Sequence, residues 1–199
     1  MVAVLTGDII NSREGNVLQW LDKLKATLNK YGQAPQEWDM FRGDSFQLVT
    51  VPENALKAAI HIKAAIKESK DYDVRIAIGI GEETYKAKKI AESNGPAYVN
   101  SGEAFETLKK QTLAIKSGNP EWDEQLNIML NLALLTANSW SSTVANVILT
   151  VLENPTKNQK DIAKLLGKSQ STISEALKRG GYEEMMQLNA YYQKQIHKL

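Results

Sequence analysis

The chain opens on a nearly continuous apolar run, residues 2–9, the pattern of a buried strand. The polar stretch Asn11-Ser12-Arg13-Glu14-Gly15 follows it. Val17, Leu21, Leu24, Leu28 and Tyr31 then recur at steps of three and four, which predicts an amphipathic helix ending near Gly32. Residues 38–42 and 46–51 read as two short strands around Gly43-Asp44-Ser45, a hairpin signal. Pro52-Glu53 opens a second helix with Ala55, Ala59, Ile62 and Ile66 on one face, and His61 beside that stripe reads as a packed or solvated helix residue. Residues 74–80 alternate Val and Ile with Arg75 and Ala77, a fourth strand. Strand, helix, strand, strand, helix, strand is the ferredoxin-like βαββαβ order, whose two crossovers are right-handed.

Beyond it come three lysines (Lys86, Lys88, Lys89), a loop at Asn94-Gly95-Pro96, a short helix over 102–110 and a strand over 112–116 that closes the domain. Ser117-Gly118-Asn119-Pro120 is the candidate boundary. It divides an α/β domain at 1–117 from a helical region at 121–199, and the fold class expected is α+β. Residues 122–137 predict an apolar helix with Trp122, Leu126, Met129, Ala133 and Ala137 on one side, a natural linker or dimer element. Ser141 and Ser142 can cap the next helix, which carries Val144, Val147, Ile148 and Val151 and ends at Asn154-Pro155. A last helix over Tyr182–Ile196 carries Tyr182, Met185, Asn189 and Tyr192 as core or as a dimer face.

Composition narrows the chemistry. The 199 residues include no cysteine, which excludes a disulfide framework, a zinc–thiolate site and a thiol nucleophile. The two histidines, His61 and His197, are far apart, so a histidine-built metal site is not expected. No apolar stretch reaches the roughly 18 residues of a membrane span, and the first residues lack a basic region before their apolar run, so no membrane partner and a cytoplasmic location are expected. Residues 1–139 carry 16 basic and 18 acidic side chains, a net of −2, and residues 140–199 carry 8 and 5, a net of +3. A polyanion partner therefore belongs at the C-terminal end.

The segment from Gln159 to Arg179 resembles a helix-turn-helix unit, the reader of DNA in many regulators. Ala163 sits where two helices cross closely, and Gly167, four residues later, supplies the φ > 0 of a tight turn. Ile162, Leu166, Ile173 and Leu177 form the apolar wedge, and Ser169 can cap the second helix. The outer face of that helix then offers Lys168, Ser169, Gln170, Ser171, Thr172, Ser174, Lys178 and Arg179 to base edges and phosphates. Lys157 and Lys160 add flanking positive charge. The competing reading is a three-helix bundle that touches no nucleic acid.

At the opposite end of the chain, Asp8 closes the first strand and Asp44 sits at the hairpin tip. In a βαββαβ domain the first and second strands run the same way, so both carboxylates fall at one edge of the sheet. Hard oxygens there suit Mg²⁺ and a polyphosphate. The plainer alternatives are a turn-capping role for Asp8 and a turn-geometry role for Asp44.

Leu5-Thr6-Gly7-Asp8-Ile9-Ile10-Asn11-Ser12 resembles the first metal-binding strand of class III nucleotidyl cyclases. Arg42-Gly43-Asp44-Ser45-Phe46 resembles their Gly-Asp hairpin, also related to that of diguanylate cyclases, and residues 74–82 resemble their fourth strand. Gly95-Pro96-Ala97-Tyr98 and Ser101-Gly102-Glu103-Ala104-Phe105, with the terminal helix-turn-helix, make the whole similar to the SatD-like bacterial proteins. The resemblance implies metal (Mg²⁺ or Mn²⁺) at Asp8 and Asp44, helped by the Ile9 backbone, and phosphate contacts from Asn11, Ser12 and Arg13. One departure counts against turnover: where cyclases carry an Asn and, a helical turn later, a charge-stabilising Arg, this chain has Asn100 and Ala104. Losing one such donor typically costs about 10²–10³ in rate, and Lys109 and Lys110 lie too far along to replace it. No catalytic residue is assigned. The expectation is a homodimeric DNA-binding regulator with a degenerate, ligand- or nucleotide-sensing cyclase-like domain. The alternative is a metal-dependent nucleotidyl cyclase or transferase.

Overall fold

A computed structural model describes residues 1–14, 16–108 and 111–199. Gly15 in the first loop, and Lys109 and Lys110 at the end of the expected third helix, lie outside the described residues. Five strands form one sheet: β1 (Val2–Ile10), β2 (Trp38–Phe41), β3 (Ser45–Thr50), β4 (Asp73–Gly81) and β5 (Leu113–Lys116). Their order is β2-β3-β1-β4-β5, with β1 antiparallel to both β3 and β4, β2 antiparallel to β3, and β5 parallel to β4. Eight α-helices complete the mixed α+β chain among the described residues: α1 (Leu18–Leu28), α2 (Ala55–Lys67), α3 (Pro96–Thr107), α4 (Pro120–Ala137), α5 (Ser142–Glu153), α6 (Gln159–Leu166), α7 (Gln170–Arg179) and α8 (Tyr182–Ile196).

The third helix begins six residues before the expected start at Gly102. Gly95, at φ 151, turns the chain sharply, and Pro96 fits the first helical position because its missing N–H needs no partner there. The expected loop is thus the helix start. β1 is buried on both faces, as its nearly continuous apolar run predicts, and the two faces meet different surroundings. Ala3, Leu5 and Ile9 enter the main core with α1 and α2. Val4, on the other face, joins a smaller cluster with Val49, Ile90, Ala97 and Tyr98. α3 packs over β4, β1 and β5 on that second face. Its approach depends on Gly79, where a Cβ would lie 2.2 Å from both the Ala97 carbonyl oxygen and the Ser101 nitrogen. Only a residue without a side chain admits the helix there.

The sequence pattern gives α2 one apolar face, yet eleven of its thirteen residues are buried. The sheet and α1 cover one side, and α5 and α8 cover the other. Its alanines at 55, 58, 59, 64 and 65 keep the helix thin enough for neighbours on every side. One apolar cluster therefore runs from Leu5 in β1 to Tyr192 in α8. Tyr192 stacks at a tilt on Trp122, centroids 6.1 Å apart, and its hydroxyl donates to the Pro52 carbonyl at 2.6 Å. The 117–120 segment turns the chain between the two parts, with the Asn119 side chain capping α4, but packing is continuous across it.

Two polar side chains on α2 are buried with it. The Lys63 ammonium donates to Asp73 at 2.8 Å and to the Thr112 hydroxyl at 3.0 Å, and burial lowers its pKa to about 8 despite Asp73. His61 is 3% exposed. The Tyr31 hydroxyl meets its Nδ1 at 3.0 Å, and its Nε2 lies 3.6 Å from Glu153, beyond hydrogen-bonding reach. Burial pushes its pKa down to about 4, with Glu153 pulling upward and Lys30 and Lys57 pushing further down.

Gly79→Ala is expected to lower stability by roughly 1–3 kcal/mol, the overpacking range, seen as a lower denaturant midpoint; an unchanged midpoint contradicts the close approach. His61 should couple folding to pH. Its folded pKa lies below the unfolded value of about 6.5, so the unfolded chain binds the extra proton as pH falls from about 6.5 to about 4. Stability is lost across that window, with a slope approaching about 1.4 kcal/mol per pH unit. Urea titrations of wild type and His61→Gln should differ by this slope between those pH values and run parallel above pH 7.

Candidate nucleic-acid interface and carboxylate edge

The α6–α7 pair is set by three local devices. Asn158 caps α6, its side chain accepting from the amides of Lys160 and Asp161. Gly167 ends α6 in the left-handed conformation (φ 61, ψ 35), and the following Lys168 amide returns to the Ala163 carbonyl at 2.9 Å. No atom lies within 4 Å of where a Gly167 Cβ would be, so backbone conformation alone demands glycine. Ser169 then caps α7, accepting from the Thr172 amide. Ile162, Ala163, Ile173, Ala176 and Leu177 are buried, and Leu166 is half-buried.

The outer face of α7 is free of the protein's own interior. Lys168, Ser169, Gln170, Ser171, Ser174, Lys178 and Arg179 are exposed, and Thr172 is half-buried. The Ser169 hydroxyl sits 2.8 Å from that of Ser171 and 2.9 Å from that of Thr172, so these three form one polar tip. None of the ion pairs found among the described residues involves Lys157, Lys160, Lys168, Lys178 or Arg179. Their charge faces solvent. Glu175 is also exposed on this helix. Sequence reasoning missed two supports: the Asn158 cap, and Gly180, where a Cβ would meet Ile148 at 2.6 Å and whose carbonyl accepts from the Trp140 indole at 2.8 Å.

The carboxylate edge also comes together. Asp8 in β1 stands opposite Ser45 in β3 and opposite Arg75 in β4. The Ile9 amide donates to the Asp44 carbonyl at 3.1 Å and ties the hairpin to the end of β1. Arg42 (φ 55) and Gly43 (φ 88) are both left-handed, which folds the tip tightly. The Ser12 hydroxyl donates to one Asp44 oxygen at 2.5 Å, and Ser45 reaches the other at 3.4 Å. Asn11 is turned elsewhere: its side chain donates to the Asp71 carbonyl at 2.8 Å. Arg13 is exposed.

Asp8 is occupied by Arg75. The guanidinium Nε donates to Oδ1 at 2.9 Å and a terminal nitrogen to Oδ2 at 2.5 Å. Its other face lies over Phe105 of α3, 5.6 Å from the ring centroid. The hydrogen bonds to Asp8 raise the arginine's pKa further. Asn100 donates to the Ile80 carbonyl at 2.8 Å, and Ala104 is buried against Ala77, Leu108 and Ala114. The position of the expected charge-stabilising arginine thus faces the sheet. No group of three or more His, Cys, Asp or Glu side chains fit to hold a metal occurs among the described residues.

A mixed α+β chain with a five-strand sheet, helices on both of its faces and a helical C-terminal part from Pro120 onward defines the class. The family model of the SatD family matches residues 1–195, and the chain belongs to that family. No curated protein matches it. No helix among the described residues is long and apolar enough to cross a membrane.

The Asp8–Arg75 pair is partly exposed, so its contribution is modest. A double-mutant cycle of Asp8→Asn and Arg75→Gln should give a coupling of about 1 kcal/mol that shrinks in high salt. A coupling of zero at low salt contradicts the bidentate geometry.

Proposed function

We propose that the protein is a DNA-binding transcriptional regulator whose N-terminal part is a degenerate, cyclase-like sensor of a nucleotide or related ligand. The observation that carries the proposal is the outward polar face of α7, tipped by Ser169, Ser171 and Thr172, with Gln170 and Lys178 exposed along it. A helix capped in this way and held from behind by α5 and α6 has the form of one that enters a major groove. The β2-β3-β1-β4 order with antiparallel neighbours supports a ferredoxin-like, cyclase-type N-terminal domain. Ligand occupancy would reach the DNA face through α2, which packs on α5, and α5 in turn carries α7. Such a sensor needs a ligand that binds two states of the protein unequally. Nucleotide contacts are assigned to Ser12, which is hydrogen-bonded to Asp44, and to the exposed Arg13, with Asn11 at the turn.

A homodimer completes the proposal. The outer row of α4, Ile128, Leu132 and Leu135, is more than half exposed, and no charge interrupts residues 125–139. The groove beside Leu132 and Thr136 is lined by Lys178, Arg179 and Glu184. A second copy of the chain, antiparallel across α4, covers the apolar row. Catalytic turnover draws less support, because Arg75 takes both Asp8 oxygens and Ala104 is buried.

Wild type should bind duplex DNA with an affinity that falls steeply with salt. Lys178→Ala should weaken binding to all sequences and reduce the salt slope by about one. Gln170→Ala should cost about 1–3 kcal/mol at one base position and relax specificity there. Absence of binding even at low salt refutes the proposal.

A further inference from the structure

The geometry points to Arg75 as a built-in cation at the place where the cyclase resemblance puts a divalent metal, so that the Asp8–Asp44 edge holds no Mn²⁺ or Mg²⁺ while this arginine is present. The chemistry of the donor set carries this. A divalent metal of this kind needs several hard oxygens, and carboxylates supply most of the charge. Here the two candidate carboxylates are already engaged. The Arg75 fork matches the Asp8 carboxylate with two hydrogen bonds, at 2.9 and 2.5 Å. Asp44 accepts from Ser12 at 2.5 Å and is reached by Ser45. No further acidic or imidazole group completes a cluster of three among the described residues.

Arg75 is also held where it is. It occupies the position of β4 directly across from Asp8 in the sheet register, so the backbone delivers the two side chains to each other. Phe105 covers the other face of the guanidinium. A metal would have to displace a charge fixed by a strand on one side and an aromatic ring on the other. The arginine supplies one positive charge in a planar fork, which neutralises Asp8 without creating the open coordination positions through which a metal activates phosphate. The resemblance to cyclases in the first strand and hairpin is thereby compatible with a site that binds its ligand without metal. This inference rests on the cyclase-like reading of that edge and is independent of the DNA interface on α7.

The test is a Mn²⁺ titration of the full-length protein, following free Mn²⁺ by its paramagnetic resonance signal. Wild type is expected to show no site tighter than about 1 mM, the weak end of protein sites for hard cations. Arg75→Gln removes the charge and should create one site at least about tenfold tighter, which adding Asp8→Asn removes. Arg75→Lys keeps a cation and should remain without a site, a difference that a purely structural role for Arg75 does not produce. Near-ultraviolet circular dichroism of the tryptophans checks each variant's fold, and Arg75→Met replaces Arg75→Gln if the latter unfolds. A tight wild-type site lost in Asp8→Asn overturns the inference. So does a folded Arg75→Gln or Arg75→Met with no gain in Mn²⁺ binding. DNA binding measured on the same samples separates failure here from failure of the regulator proposal.

Discussion

A helix with almost no solvent face sets the architecture. α2 lies between the sheet and the C-terminal helices, and its alanines let both approach. Burial this complete obliges every polar group on it to find a partner. Lys63 finds Asp73 and Thr112, while the His61 ring meets Tyr31 through Nδ1 and leaves its Nε2 without a hydrogen bond. The same ammonium spans three elements, since Asp73 begins β4 and Thr112 precedes β5. Thr112 passes the contact on to Asn138 after α4, at 2.6 Å, and Lys67 donates to the Asn138 carbonyl at 2.8 Å. The α/β part and the helical part are joined through this seam rather than by a linker alone.

That seam bears on function. α5 packs against α2 on one side and α7 on the other, so α7 is two packing layers from the sheet. Glu153 ends α5 and faces α1 and α2, ion-paired to Lys30 at 3.2 Å and near His61. A shift of α2 relative to the sheet would be felt at α5 first. On the far side of the sheet, α3 is seated by Gly79 and brings Phe105 over Arg75. The carboxylate edge is therefore built from β1, the β2–β3 hairpin, β4 and α3 together.

Much of this could be read in the sequence because it depends on local chemistry. Gly167, Ser169 and the apolar wedge follow from turn and cap rules, and the helix at Tyr182–Ile196 from periodicity. The hairpin at Gly43 and the nearness of Asp8 to Asp44 follow from strand direction. What could not be read depends on partners distant in the chain. Alanines look alike whether they face solvent or a second helix, so the full burial of α2 was hidden. Lysine ordinarily marks solvent, and only the position of Asp73 reveals why Lys63 is inside. The Asp8–Arg75 pair, 67 residues apart in sequence, needs the exact register of its two strands, since a slip of one residue turns Arg75 to the other face. Gly79 needs the third helix in place before its absence of a side chain has meaning.

The central claim is that the outward face of α7 meets DNA. Hydrogen–deuterium exchange of the full-length protein, with and without duplex DNA at low salt, tests it most directly. The account predicts new protection concentrated over residues 168–179. Protection that falls elsewhere, with that segment exchanging as fast as in the free protein, would contradict it.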